Sequence, residues 1–284
     1  MNKILIINFF YPIFYLIKRI IFKKPQLRIL MFHYIKSNQY QKFEKLIYKL
    51  KKNYDIITPN EFDDIILNKK KITSDKILLT FDDGYKSQYN VTKKTLDKYK
   101  IKKIFFITSN FIKINSKDKI FKFLKKNLHV KEKFDKQYHN IKNMSTADIF
   151  SLIKRGHTIG AHTINHYNLP SINFKTQKKE IIDIKQILIK KFKLTTINHF
   201  AFTFGELKNI DKNSLKLSLN NYKFVHSGIR GNNSSFNNKV LFRDNCDLHL
   251  TFKEIFFFLN GFGDIYYFFK RYKLKNFFSK ITVK

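Results

Sequence analysis

The sequence predicts an α/β fold, a sheet or barrel of parallel strands with helices on the outside. Short apolar segments alternate with segments of helical spacing along most of the 284 residues, and this alternation is typical of parallel βαβ units. Hydrophobic residues make up 43% of the chain and aromatic residues 17%, which is enough for a large core and excludes a disordered chain. No internal repeat or linker is evident, so a single domain is expected.

The predicted strands are short and apolar, as is usual for strands inside a parallel sheet. They cover residues 27–35, 54–58, 76–81, 104–108, 157–161, 199–204, 222–226 and 240–243.

The predicted helices lie between these strands. Four of them cover residues 41–52, 89–99, 175–192 and 252–259. Two more begin at Pro59 and, with a capping residue, at Ser145. A lysine-rich segment at about 110–143 breaks the alternation and has only weak helical periodicity. We interpret it as an insertion over one face of the domain, either a substrate lid or a solvated excursion.

The chain is strongly basic, because it contains 56 Lys and Arg residues but only 21 Asp and Glu residues, which gives a net charge of +35. The lysines are spread along the whole chain and form no basic stripe or known nucleic-acid motif, so no specific nucleic-acid partner is expected. The charge favours anionic membrane surfaces, anionic glycans or lipid pyrophosphates. A single cysteine, Cys246, excludes an intrachain disulfide and a thiolate metal cluster.

Both ends of the chain are basic and apolar. Residues 1–26 contain an apolar run, Ile4–Ile17, which Pro12 interrupts and which is short for a membrane span. It lacks a small-residue cleavage site, so a helix lying in the membrane interface fits better than a signal peptide. The tail 263–284 has the same basic-aromatic character. These ends predict a peripheral membrane protein at the cytoplasmic face or in the cell envelope; the alternative is two core helices with solvated lysine edges.

Two adjacent carboxylates end one predicted strand. Asp82 and Asp83 follow the strand at 76–81 and precede Gly84. One such carboxylate can bind a metal while its neighbour, which is directed the other way, transfers protons. The alternative is a turn with Asp and Gly in their usual places.

Two histidines follow a later strand. His162 and His166 would lie about 13 Å apart in an extended chain. They can hold one ion if the strand ends at Ala161 and the chain turns. Together with the Asp-Asp-Gly strand end, this spacing favours a metal site over two structural histidines.

These two motifs together resemble the polysaccharide deacetylase family, the NodB-homology carbohydrate esterases. That family carries Thr-Phe-Asp-Asp-Gly after one strand and His-Ser/Thr-x-x-His after a later one, in this order and at about this separation. The segments ILMFHYI, LLTFDDGY, IFFIT, GHTIGAHT and HFAFTFG resemble successive strands of the family. The resemblance implies a distorted (β/α) barrel spanning about residues 27–262.

The resemblance also implies roles for the motif residues. Asp83, His162 and His166 would coordinate a divalent ion, most often zinc, with cobalt, nickel or iron as alternatives. Asp82 would be the general base that activates the attacking water. The substrate would be an N-acetylated sugar of a surface polysaccharide or of its lipid-linked precursor.

The sequence identifies the general acid less clearly than it identifies the expected metal ligands and the general base. A Tyr-His strand opening in part of the family is similar to Phe32-His33, so His33 is preferred, followed by His226; His249 is better explained as a satisfied polar side chain.

The third motif departs from the family, since Thr203 replaces a proline and no arginine lies nearby; Arg243 would orient Asp82 instead. The alternative function is a catalytically inactive protein of this fold that binds glycan or membrane.

Overall fold

The computed structural model describes residues 24–128, 141–235 and 240–279. Residues 1–23 of the predicted membrane-interface segment and residues 129–140 of the predicted insertion lie outside the described residues.

All strand pairs of the sheet are parallel, which confirms the predicted fold class. In chain order the described strands are β1 Leu27–Phe32, β2 Asp55–Ile56, β3 Lys76–Phe81, β4 Ile104–Ile107, β5 Thr158–Ala161, β6 His199–Ala201, β7 Phe224–His226, β8 Val240–Leu241 and β9 Asp244–Asn245. Their order in the sheet is β8-β7-β6-β5-β4-β3-β1-β9, with β2 paired to the start of β3.

The sheet curls into a distorted barrel because one segment pairs with both of its edges. Strand β8 pairs with β7, and β9 pairs with β1. Only Phe242 and Arg243 separate β8 from β9, so these two residues lie where the edges of the sheet meet. Arg243 thereby enters the barrel interior, where its side chain is 1% exposed.

Helices surround the sheet, as the fold class requires. They are α1 Tyr40–Asn53, α2 Pro59–Leu67, α3 Lys86–Val91, α4 Lys117–Asn127, α5 Thr146–Lys154, α6 Phe174–Lys178, α7 Ile184–Phe192, α8 Lys212–Asn221, α9 Phe252–Leu259 and α10 Asp264–Ser279. Reciprocal side-chain and backbone bonds cap four of them, through Thr58, Ser145, Asp211 and Thr251.

Several predicted elements are shorter than expected. Strand β1 ends at Phe32 and β6 at Ala201, because the residues that follow enter loops at the carboxyl ends of the strands. The helix predicted at 89–99 begins earlier, at Lys86, and passes at Thr92 into a π-helical turn. A similar π-helical turn, Lys179–Asp183, joins α6 to α7.

The described part of the predicted insertion packs against the domain. Helix α4 buries Ile120 and Leu124 in a small cluster with Tyr85 and Phe111. This cluster places the end of α4, at Asn127, beside the carboxyl ends of the strands.

The C-terminal segment also forms a helix, α10, which lies on the domain surface. Leu274 is fully buried, and Tyr267 and Phe277 pack against the main core. Arg28, in β1, donates hydrogen bonds to both carboxylate oxygens of Asp264, at 3.0 and 2.7 Å. Within the described residues, no helix combines the length and the hydrophobicity that crossing a bilayer requires.

Candidate metal centre and active site

An open cavity of about 550 Å³ lies at the carboxyl ends of the strands. In parallel α/β folds this edge is where ligands usually bind. Six of the seven residues predicted from the sequence for catalysis or metal binding line it, namely His33, Asp82, Asp83, His162, His166 and Arg243.

The two adjacent aspartates sit at a bend in the backbone. Asp83 has a φ of 77° and Gly84 a φ of 99°, so the chain turns sharply as it leaves β3. A positive φ is uncommon for a residue other than glycine and costs conformational energy. This turn directs the two side chains to different partners.

The two histidines belong to a tight turn and not to an extended strand. Strand β5 ends at Ala161, and both Thr163 and His166 have positive φ values, of 63° and 58°. The hydroxyl of Thr163 accepts a 2.9 Å hydrogen bond from the His166 amide. The turn brings the two imidazoles together, with their ring centroids 5.0 Å apart.

Three ligand atoms converge in this part of the cavity. The Oδ1 atom of Asp83 lies 3.4 Å from Nε2 of His162 and 3.2 Å from Nε2 of His166. One ligand atom from each of the three residues falls within 4.8 Å of the others.

The donor set fits a divalent metal ion. Nδ1 of His162 lies 2.8 Å from the carbonyl oxygen of Ala201, and Nδ1 of His166 lies 3.1 Å from that of Asn127. A carbonyl can only accept, so both Nδ1 atoms carry the proton and each Nε2 keeps a free lone pair. The buried Oδ1 of Asp83 has no hydrogen-bond partner among the described residues. Two imidazoles and one carboxylate with open positions suit a hydrolytic metal.

Two residues that support the candidate metal ligands could not be identified from the sequence. The buried carboxylate of Glu180 accepts hydrogen bonds from the amides of Ile164 and Asn165, at 2.9 and 2.8 Å. The side chain of Asn127 donates to the carbonyl of Asn165 at 2.7 Å. Both therefore fix the turn that carries His162 and His166, although neither lies near a recognisable motif.

Arg243 and Asp82 form a buried pair. The guanidinium donates to both carboxylate oxygens, at 2.7 and 2.8 Å. Its Nε also donates to the carbonyl of Ser227 at 2.8 Å. The structure thus brings together the two residues that the sequence suggested as an orienting pair.

His33 is held by a carboxylate that the sequence did not indicate. Asp247 accepts hydrogen bonds from the backbone amide and from Nδ1 of His33, each at 3.2 Å. Desolvation would lower the pKa of His33, but Asp247, with help from Asp82 and Asp83, raises it to about 10. The side chain keeps 34% of its surface exposed, so water screens part of this effect.

The other two candidate acids occupy different positions. His226 is completely buried among the strands, where its Nε2 lies 3.1 Å from Nδ1 of His199. Desolvation holds its pKa well below the ordinary value, so the ring is neutral. His249 lines the cavity. Geometry therefore favours His33 over His226 as a proton donor to a bound substrate.

The third motif, which departs from the family pattern, lines part of the cavity. Thr203, in the position of the expected proline, donates a 2.6 Å hydrogen bond to the carbonyl of Tyr167. The next residue, Phe204, has a φ of 59° and places its ring edge-on to His166, with centroids 4.8 Å apart. Gly205 follows with a φ of 61° and leaves no room for a Cβ, which would lie 2.3 Å from the amide nitrogen of Gly228.

Known proteins resemble this chain in sequence and in fold. The family model described as polysaccharide deacetylase matches residues 69–222. A Bacillus subtilis (strain 168) protein, YxkH, which is assigned to the polysaccharide deacetylases, is 27% identical over 207 residues. That match spans 69% of this chain and 65% of the length of YxkH.

Solved structures share the fold. The Streptococcus pyogenes deacetylase PplD in complex with acetate superimposes with a TM-score of 0.65 at 18% identity, over 83% of this chain and 99% of that one. IcaB from Ammonifex degensii gives a TM-score of 0.63 at 16% identity, over 84% of this chain and 98% of that one. The family model covers the strand that ends in Asp82-Asp83 and the turn that carries His162 and His166, and the chain belongs to the polysaccharide deacetylase family.

Proposed function

We propose that this protein is a metal-dependent deacetylase that hydrolyses the N-acetyl group of an amino sugar. The observation that carries the proposal is the convergence of Asp83, His162 and His166 beside an aspartate that Arg243 orients. Membership of the polysaccharide deacetylase family supports the same reaction.

Asp83, His162 and His166 would hold the ion. Zinc is proposed because it accepts nitrogen and oxygen ligands in open tetrahedral sites, with cobalt, nickel or iron as alternatives. When bound, such an ion polarises the acetamide carbonyl and lowers the pKa of water.

Asp82 is proposed as the general base. Arg243 donates one hydrogen bond to each carboxylate oxygen of Asp82. Its position is fixed by a further hydrogen bond, which it donates to the carbonyl of Ser227. Each oxygen keeps a further lone pair, with which the carboxylate can take a proton from the attacking water.

His33 is proposed as the general acid. The pKa of about 10 keeps its imidazole protonated at neutral pH. Because Nδ1 is committed to Asp247, the proton on Nε2 is the one available for transfer. His33 and Asp82 both line the cavity, so acid and base can act on one bound acetamide.

The proposed reaction balances in protons and electrons. Water adds its oxygen to the acetamide carbon and passes one proton to Asp82, while the π electrons of the carbonyl move to the carbonyl oxygen. The carbonyl then re-forms as the C–N bond breaks with its electron pair remaining on nitrogen, which takes a proton from His33. The products are acetic acid, which ionises to acetate, and a free amino sugar. Transfer of the proton from Asp82 back to His33, through solvent, restores the starting state.

The proposed substrate is a sugar of a surface polysaccharide or of its lipid-linked precursor. The cavity is open and carries both polar groups and aromatic rings, among them Tyr34, Phe204 and Tyr267, and such surfaces suit a sugar. The net charge of +35 supports peripheral association with an anionic membrane, at the cytoplasmic face or in the cell envelope.

An inactive glycan-binding protein of the same fold is the competing function. It would be favoured by the loss of a metal ligand or of the base, but Asp82, Asp83, His162 and His166 are all present around the cavity.

Acetate release from a chitooligosaccharide separates the two functions. The chelated protein is assayed with and without added zinc, beside Asp82→Asn and the exposed control Asp118→Asn. We expect zinc to restore release in the wild type and in the control but not in Asp82→Asn. Glycan binding without acetate release in any sample would favour the inactive protein.

A further inference from the structure

Helix α10 exposes an apolar face that the domain does not cover. Ile265 is 77% exposed, Phe268 55%, Phe269 71% and Tyr272 55%. Their spacing of three and four residues places them on one side of the helix. Tyr267, Arg271 and Leu274 lie on the opposite side and pack against the domain.

This face is fixed in position and does not belong to a frayed end. Arg271 donates to the carbonyls of Arg230 and Asp264, at 2.9 and 2.7 Å. Together with the buried Leu274 and the Arg28–Asp264 ion pair, these contacts hold the aromatic side chains outward. A contiguous exposed apolar patch that is held in a fixed position is typical of an interaction site.

The charges around the face indicate its partner. Lys273 and Lys275, which are both exposed, fall at its two margins when residues are placed at 3.6 per turn. The sequence contains no acidic residue after Asp264. Aromatic rings flanked by lysines are the composition of helices that lie in a membrane interface.

A second copy of the chain fits the face less well. Two copies would each bring a net charge of +35, and their mutual repulsion opposes such a contact. A bilayer with anionic headgroups instead neutralises the lysine margins while its acyl region receives the rings.

We infer that the exposed face of α10 docks on an anionic lipid bilayer and sets the cavity at the membrane surface. Tyr267 lines the cavity, and Lys270 forms a 3.1 Å ion pair with Glu206, another lining residue. Helix α10, whose other side carries the docking face, thus adjoins the cavity rim. Resting on the proposed deacetylase function, this arrangement selects glycans that are lipid-linked or lie next to the membrane.

Vesicle sedimentation of the full chain, without any sugar, tests the inference. The probes are phosphatidylcholine vesicles with and without phosphatidylglycerol. The variant Phe268→Ser/Phe269→Ser is compared with Tyr48→Ser/Phe174→Ser, which removes two exposed rings elsewhere, of 61% and 47% exposure. We expect at least about tenfold weaker binding to the anionic vesicles for the α10 variant and wild-type binding for the control.

Equal binding of the two variants would overturn the inference. Sedimentation equilibrium without vesicles adds a second criterion, because a dimer that dissociates only in the α10 variant would assign the face to a second copy. Acetate release from a soluble chitooligosaccharide should be unchanged in both variants. Vesicle binding is measured independently of this activity, so failure of the proposed reaction would not be mistaken for failure of the docking surface.

Discussion

Arg243 and Asp82 form a bidentate ion pair inside the barrel, with nitrogen–oxygen distances of 2.7 and 2.8 Å. The pair links the two-residue segment between β8 and β9 to the end of β3, and its two residues are 161 positions apart in the sequence. Since Asp82 is 1% exposed, its charge has little solvent to stabilise it, and the guanidinium supplies both neutralisation and orientation.

Replacement of Arg243 by lysine should therefore impair catalysis more than metal binding. Arg243→Lys keeps the charge but loses the fork that fixes both oxygens, so we expect kcat to fall by about 10²-fold with unchanged metal content. Arg155→Lys, in the more exposed pair with Asp97, is the control and should keep its kcat. Steady-state kinetics and metal analysis of both variants make the measurement. An unchanged kcat for Arg243→Lys would show that Asp82 needs no orientation.

The pairing of His33 with Asp247 predicts a pH dependence. Asp247 raises the pKa of His33, so the acid stays protonated to high pH and activity falls only as pH rises through that value. Asp247→Asn removes the main cause of the rise. The alkaline limb of kcat/KM should then move to lower pH by roughly 1–3 units.

The exposed Asp118→Asn serves as the control for this profile. If Asp247→Asn leaves the alkaline limb where it is in the wild type, His33 is not the proton donor and His249, which also lines the cavity, becomes the next candidate.

Glu180 should be needed for tight metal binding although it is not a ligand. Its carboxylate accepts the Ile164 and Asn165 amides and the Asn165 side chain. Glu180→Gln replaces one acceptor oxygen by a donor, which loosens the turn that carries His162 and His166. We expect zinc affinity to fall by about 10- to 100-fold, as measured by competition with a chelator, while the partly exposed Glu44→Gln retains wild-type affinity. Equal affinities would mean that the turn holds its shape without Glu180.

Two glycines with positive φ should differ in their tolerance of alanine. Gly156 has a φ of 77°, and the nearest atom to an added Cβ is the end of Lys102, at 3.8 Å. Gly156→Ala should therefore lose only about 1–2 kcal/mol of unfolding free energy, from the backbone conformation. Gly205→Ala adds a 2.3 Å clash with the backbone of Gly228 and should cost clearly more. Denaturant unfolding of both variants decides this, and equal losses would contradict the close approach of the two loops.

The family, the fold class and the residues of the two motifs could be predicted from the sequence because each is local. The run Lys76–Phe81 followed by Asp82-Asp83-Gly84 is contiguous, and so is His162–His166. The spacing of the two histidines left an extended and a turned chain open, and a shared metal ion requires the turn; β5 does end at Ala161.

The residues that support the site could not be predicted, because their partners are distant in sequence. Asp247 lies 214 residues from His33, and Asn127 lies 38 residues from the turn that it supports. Strand β9 was missed because it is only two residues long and contains a buried aspartate, Asp244, which Arg28 pairs at 3.3 Å. Isolated polar residues of this kind give no periodic signal.

Metal analysis tests the central claim most directly. Wild-type protein, Asp83→Asn and Asp64→Asn are purified in parallel with zinc in the buffer, and bound metal is measured by mass spectrometry after desalting. Asp64 is a carboxylate on the surface, paired with Lys70, and so controls for nonspecific binding. We predict near-stoichiometric zinc in the wild type and in Asp64→Asn, with a large loss in Asp83→Asn. Equal zinc in all three proteins would contradict the assignment of Asp83, His162 and His166 as the metal site.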